Sequence, residues 1–256
     1  MTEFETEVAH RIAQIPGNAP LRDATRAFVR QSIASQYSYN FFCLGRPIIQ
    51  YPQDMAAMQE LIWSVRPDLI IETGIAHGGS LMLSASMLAL LDLCDAIQAR
   101  EILDPTKPRR RVLGIDNDIR PHNRSAIEAH PMAGRIDMIQ GSSIAPEVVA
   151  EVHRRAEGSK CVLVCLDSNH THDHVLAELE SYADLTSVGS YCVVFDTVVE
   201  DLPAELIHNR SWGPGNNPKT AVHDYLKTHS EFQIDKDMDA KLLISVAPDG
   251  YLKRVR

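Results

Sequence analysis

The hydrophobic pattern is most regular from Leu69 onward. Leu69-Ile70-Ile71 is a short apolar run ending in Glu72; glycines follow at 74, 78 and 79, and a long apolar segment begins at Ser80. This spacing predicts a buried parallel strand, a tight turn and a helix. The alternation then continues. Strand Leu69–Thr73 precedes a helix over Ser80–Ala99, strand Val112–Asp116 a helix near Asn123–His130, and strand Ile136–Gln140 one near Ala145–Ala156. Strand Val162–Asp167 precedes a helix over His172–Leu185, and strand Tyr191–Asp196 comes next. Such βαβ alternation predicts an α/β fold with a parallel, doubly wound sheet.

The two ends read differently. Phe4, Val8 and Ile12, then Leu21, Ala24, Phe28 and Ile33, recur at helical spacing, broken by Pro16-Gly17-Asn18-Ala19-Pro20. The stretch from Gln36 to Pro52 is aromatic and irregular, and either packs on the sheet or lines a substrate pocket. Asp54 is then placed to cap a helix through Trp63. At the other end a helix over Pro218–His229 leads to apolar runs at Phe232–Ile234 and Leu242–Val246. Asp249-Gly250 between apolar residues is a hairpin signal, so the chain is expected to finish in antiparallel strands. No repeat, linker or low-complexity segment divides it, which predicts one domain over residues 1–256.

Composition narrows the function classes. The 256 residues carry a formal charge of −9, which argues against nucleic acid as the main partner. The one basic run, Lys107-Pro108-Arg109-Arg110-Arg111, reads as a solvated loop. The five cysteines show no paired zinc spacing and read as reduced, buried thiols of a cytoplasmic protein. The acidic N-terminus has no apolar signal core, and no segment reads as a membrane span.

Ligands of open α/β sheets bind beyond the carboxyl ends of the strands, and here every strand end is polar. In order they are Glu72 with Gly74, Asp116-Asn117-Asp118, Gly141-Ser142-Ser143, Asp167-Ser168-Asn169-His170 and Asp196-Thr197. Glycines in the first turn permit positive φ and a close ligand, and Glu72 is placed to accept from a bound amine or ribose. Asp116 suits both ribose hydroxyls of an adenosine cofactor, although such an acid usually stands about twenty residues after the turn and here lies further on. If the strands ending in Asp167 and Asp196 are neighbours, their carboxylates share a proton or a cation. Oxygen donors favour a hard ion, Mg²⁺, which lowers the pKa of a substrate hydroxyl. His170 stands to take that proton. His170, His172 and His174 also raise a zinc site, but the run lacks the further ligand that such a site would take from this segment.

From about Phe42 to Tyr251 the chain resembles the cephalosporin hydroxylase family, a branch of class I S-adenosylmethionine-dependent methyltransferases that includes sugar and antibiotic O-methyltransferases. The resemblance rests on Ile71-Glu72-Thr73-Gly74-Ile75-Ala76-His77-Gly78-Gly79-Ser80, Leu113-Gly114-Ile115-Asp116, Gly141-Ser142-Ser143, Leu166-Asp167-Ser168-Asn169-His170 and Val193-Val194-Phe195-Asp196-Thr197. Gly213-Pro214-Gly215-Asn216 and Ala247-Pro248-Asp249-Gly250-Tyr251 add to it. It implies a Rossmann-like core over residues 67–256 with antiparallel C-terminal strands, and a helical cap over residues 1–66.

By the same resemblance the methionine end of S-adenosylmethionine meets Glu72, Gly74 and Ser80, with His77 and Gly78 in the same turn. The ribose meets Asp116 beside Asn117, and the adenine Ser142 and Ser143. Asp167 serves cofactor and chemistry, His170 is the base, and Mg²⁺ is held by Asp167, Asp196 and Thr197. Phe195 stands where the family often has Glu, Thr197 replaces an amide ligand, and Ala76 stands where many class I enzymes have Gly. The implied reaction is O-methylation of a sugar or natural-product hydroxyl by a homo-oligomer with a small-molecule acceptor. The acceptor is read by the N-terminal helices, Val198–Pro203 and Trp212–Asn217. Two other readings stay open: an accessory protein of an oxygenase system, and a non-catalytic nucleotide-binding module.

Overall fold

The computed structural model describes residues 2–207 and 210–256. Helices α1 (Glu3–Gln14) and α2 (Ala19–Ala34) lead into a short antiparallel hairpin, β1 (Phe41–Cys43) with β2 (Arg46–Ile48), and then α3 (Pro52–Val65). The alternating part follows as β3 (Leu69–Thr73), α4 (Gly79–Ala99), β4 (Arg111–Asp116), α5 (Pro121–Glu128), β5 (Ile136–Gln140), α6 (Pro146–Ala156), β6 (Val162–Leu166), α7 (His172–Tyr182) and β7 (Tyr191–Val194). It ends with α8 (Pro218–Tyr225), β8 (Phe232–Ile234), α9 (Lys236–Leu242) and β9 (Tyr251–Arg254).

Seven strands form one sheet in the order β5-β4-β3-β6-β7-β9-β8. The first five are parallel, and β9 and β8 are antiparallel. Every residue of β3, β6 and β7 is buried, as expected of strands covered on both faces. One apolar layer joins the sheet to α3, α4 and the hairpin, and the other joins it to α6, α7 and α8. From β3 the chain winds outward to β4 and β5, then returns to β6 on the other side. The reversal lies between β3 and β6, and the crevice above it is where such sheets bind ligands.

Three expectations are corrected by where polar groups find partners. The run Leu242–Val246 is not a strand. Asp235 caps α9 by accepting from the Met238 N–H, and the Val246 N–H is taken by the Asp54 carboxylate at 2.9 Å instead of by a neighbouring strand. The partners of β9 are accordingly β7 and β8. Asp54 is also no helix cap. It sits fully buried in the first turn of α3, accepting from Ser245 Oγ (2.6 Å), Tyr251 Oη (2.8 Å) and Val246 N, and so ties the N-terminal region to the end of the chain.

The basic run is only partly solvated. Arg110 Nη1 and Arg135 Nη1 donate at 2.6 and 2.5 Å to Asp92 of α4, whose side chain is fully buried. A paired cluster of this kind tolerates burial that a lone charge would not. By length and composition α4 does match a membrane span, contrary to the sequence reading. Half of that apolar window is buried inside the fold, and the helix carries Asp92.

Burial pushes the Asp54 carboxyl up from 3.8 to about 6, against the lowering effect of its Ser245, Val246 and Tyr251 hydrogen bonds. The folded chain therefore binds a proton that the unfolded chain releases. The linked stabilisation is complete below the unfolded value and is lost as pH rises through about 6. Relative to Asp54→Asn, which does not titrate, the wild-type unfolding free energy should fall by about 2 kcal/mol from about pH 4 to about pH 7. Denaturant titrations across that range read the difference, and a flat one would show that the carboxyl is not perturbed.

Candidate active site

Above the β3/β6 reversal lies a cavity of about 480 Å³. Its floor is the turn after β3, and its geometry begins at Gly74 (φ +90°). The Gly74 N–H donates to the Ile115 carbonyl at 2.7 Å, and the Asp167 N–H to the Thr73 carbonyl at 2.9 Å, so the ends of β4, β3 and β6 are stitched together. A Cβ on Gly74 would stand 2.6 Å from the Asp167 carbonyl carbon and closer to its oxygen. No other residue type fits there.

Asp116, at the end of β4, shapes the same turn. Its Oδ2 accepts from the N–H groups of Ile75 (2.8 Å) and Ala76 (3.1 Å), and its Oδ1 from that of Asp118 (2.9 Å). Ala76 has φ +45°, in the left-handed region that glycine enters most readily. The turn is braced from outside by two side chains that sequence reasoning did not single out. Arg46 of β2 donates to the His77 carbonyl at 2.9 Å and to Asn123 Oδ1 at 2.9 Å, and Asn123 Nδ2 donates to the Ala76 carbonyl. A basic residue in a short hairpin carries no local signal that it will cap a loop some thirty residues later.

Of the expected cofactor residues, Gly74, His77, Ser80, Asp116 and Asp167 line the cavity, and Glu72 lines a narrow recess that also touches Gly74, Ser80 and Asp167. Glu72 is buried, its carboxyl raised by that burial and partly relieved by the Ser84 and Ser80 hydroxyls. Gly78, Asn117, Ser142 and Ser143 are not part of the cavity wall. Gly78 (φ +84°) starts α4, and a Cβ there would press on Ile127. Ser143 is turned into the fold, with its hydroxyl 3.0 Å from His174 Nε2 and its carbonyl accepting from the Tyr182 hydroxyl.

The chemistry concentrates at the ends of β6 and β7. Asp167, His170 and Asp196 offer ligand atoms within 4.8 Å of one another, and His170 Nε2 lies 3.2 Å from Asp196 Oδ2. Asp196 takes a left-handed backbone (φ +55°) as it leaves the sheet, a conformation Asp tolerates better than most residues. Burial raises the Asp167 carboxyl well above the usual range, and the negative charges of Asp196, Glu72, Glu178 and Asp54 add to it. The set of donors, two carboxylates and an imidazole, fits a divalent cation.

Thr197 departs from expectation, because its hydroxyl is buried and donates to the Pro248 carbonyl at 2.7 Å, outside the cavity wall. Phe195 is packed in the core. The three histidines disperse: His172 Nδ1 meets Thr220 Oγ1 and His174 meets Ser143 and Ser168, which leaves His170 alone with the carboxylates.

The outer wall is the segment after β7. Val198, Val199, Leu202 and Trp212 face Tyr39 and Ile33 of the N-terminal part across the cavity. Trp212 sets its ring edge-on to His170, with centroids 5.2 Å apart, and Arg210 covers the Trp212 ring at 5.3 Å. The aromatic stretch from Gln36 to Pro52 serves both uses expected of it. Tyr37 packs on Phe28, Phe41 and Tyr51, while Tyr39 lines the cavity.

Gly74→Ala should therefore cost about 2–4 kcal/mol, from the left-handed backbone and the clash with Asp167. Gly189→Ala, at φ +85° with open space around it, should cost only about 1–2 kcal/mol. Equal losses in denaturant titrations of the two variants would show that the contact with Asp167 is unimportant.

Comparison with known proteins points the same way. A rhamnosyl O-methyltransferase of Mycobacterium tuberculosis is 29% identical over 206 residues, covering 78% of this chain and 73% of that protein. The rhamnosyl O-methyltransferase of Mycobacterium leprae is 26% identical over 215 residues, covering 82% of each. Among solved structures, CmcI without ligand superposes with a TM-score of 0.55 at 20% identity over 85% of this chain and 77% of its own. CmcI with Mg and S-adenosylmethionine gives 0.54 at 18% identity over 85% and 78%. These two likenesses establish the shared architecture. The profile of the family described as rhamnosyl O-methyltransferase/CmcI matches residues 35–255, which contain all seven strands of the sheet, and the chain belongs to that family.

Proposed function

We infer that this chain transfers a methyl group from S-adenosylmethionine to a hydroxyl of a sugar or a glycosylated small molecule, assisted by Mg²⁺. The observation that carries this reading is the meeting of Asp167, His170 and Asp196 at the cavity floor, beside the Gly74 turn. The rhamnosyl relatives support a sugar acceptor, and the CmcI complex supports the donor and the metal.

Glu72 and Ser80 are suited to the amino-acid end of the donor, and Asp116 to its ribose. The donor supplies an electrophilic methyl group. Asp167 and Asp196 would hold the metal, whose charge makes a bound hydroxyl more acidic. His170 receives the hydroxyl proton, and the imidazolium that results is held by Asp196 Oδ2, 3.2 Å from Nε2. Leu202, Trp212 and Tyr39 exclude water and orient the acceptor, and alignment of donor and acceptor supplies much of the rate gain. The carboxylate pair Asp167 and Asp196 stands together beside the buried Phe195, which favours an enzyme over a dismantled binding module.

The N-terminal residues 1–66 act as a cap on the catalytic core within one domain. Five cysteines without disulfides suit a cytoplasmic setting, and the net charge of −9 suits a partner other than nucleic acid. Leu90, Leu93 and Ile97 leave an apolar stripe uncovered on α4, which supports self-association into a homo-oligomer.

Titration calorimetry with S-adenosylhomocysteine, with and without Mg²⁺, is the direct test. Binding in the micromolar range supports the donor, and absence of binding overturns the reading. His170→Ala should lower turnover on a sugar acceptor by about 10²–10⁴-fold with donor affinity unchanged, whereas a parallel loss of donor binding would make His170 structural. Asp196→Asn should abolish stimulation by Mg²⁺, and wild-type activity indifferent to chelator would remove the metal from the mechanism.

A further inference from the structure

Gln50, in the short link between β2 and α3, is 4% exposed, and its Oε1 has no hydrogen-bond partner among the described residues. A buried amide oxygen left without a partner is costly. Its backbone has little freedom to relieve this. Tyr51 is buried with its hydroxyl 2.6 Å from Ser32 Oγ, and Pro52 opens α3. Asp54, two residues further, is tied to Ser245, Val246 and Tyr251. Other buried side chains also have unpartnered atoms, namely Gln53, Arg110, Glu178, Thr186 and Ser190. None of these lines the active-site cavity or its recess.

Gln50 lines both. It faces the cavity floor and the narrow recess, of about 10 Å³, whose other walls include Glu72, Gly74, Ser80 and Asp167. The polar lining of that recess includes the carboxylates of Glu72 and Asp167 and the hydroxyls of Ser80 and Ser84, set among Met58, Leu83 and Phe195. One Glu72 oxygen is occupied by Ser84 Oγ at 2.5 Å, and both acids add negative charge. An anionic group would be repelled there. A primary ammonium, with three N–H donors and a positive charge, matches both the acceptors and the field.

We propose that Gln50 is a donor-binding residue, its side-chain oxygen accepting a hydrogen bond from the α-ammonium of the donor's amino-acid end beside Glu72. The inference rests on S-adenosylmethionine being the donor. It adds that the amino group is read by the link before α3 as well as by the turn after β3. Donor binding thereby fixes the link before α3, close in the chain to Tyr39 of the cavity lining.

Calorimetry with two ligands tests it. S-adenosylhomocysteine carries the amino-acid end; 5′-methylthioadenosine keeps the nucleoside and thioether but lacks it. In Gln50→Met or Gln50→Leu, whichever retains the wild-type melting temperature, affinity for S-adenosylhomocysteine should fall about 10- to 100-fold while that for 5′-methylthioadenosine stays constant. Gln50→Glu, which keeps an acceptor, should bind S-adenosylhomocysteine within about threefold of wild type. Unchanged affinity for both ligands in the apolar variant overturns the proposal, and so does an equal loss for both, which would mark Gln50 as structural. If wild type binds no S-adenosylhomocysteine, the donor reading falls first and this inference with it.

Discussion

The backbone of β3 and the residue after β6 touch at Gly74 and Asp167, and the site depends on that contact. It occurs where the winding of the sheet reverses, so two loops that leave in opposite directions start from one point. Only a residue without a side chain permits it. The approach carries the Asp167 carboxylate over the glycine turn, next to Glu72 on one side and Asp196 on the other. Asp116 holds the turn open through the Ile75 and Ala76 N–H groups. Removing the glycine would separate the carboxylates from the turn and divide one crevice into two.

The same contact concentrates negative charge. Asp167 has Asp196, Glu72, Glu178 and Asp54 around it, and each raises its carboxyl further. The positive charge that the fold does bury is elsewhere: Arg110 and Arg135 converge on Asp92 of α4. These two arginines thus brace the frame, while Arg210, which lines the crevice, lies over the Trp212 ring.

Most of the frame was legible in the sequence because a buried strand declares itself locally. Leu69–Thr73, Ile136–Gln140 and Phe232–Ile234 have the bounds that their apolar runs suggest. The pairing of Asp167 with Asp196 was legible too, since both are strand-end acids in neighbouring βα units. What failed was whatever depends on a distant partner. Leu242–Val246 looked like a strand because nothing near it shows that Asp54, almost two hundred residues earlier, would take its polar groups. Thr197 and Ser143 had suitable side chains for a ligand, but their hydrogen bonds to Pro248 and His174 turn them inward. Gln50 and Arg46 gave no motif at all. Their importance comes from being packed against the glycine turn, which is a property of tertiary structure alone.

His170 rests against Trp212, which itself lies under Arg210. The aromatic ring belongs to the outer wall, and the imidazole to the cavity floor. A change that widens the wall at Trp212 therefore frees the imidazole as well, so the shape of the cavity and the placement of His170 are inherited together. In an evolving lineage, divergence at Trp212 should bring compensating change around His170.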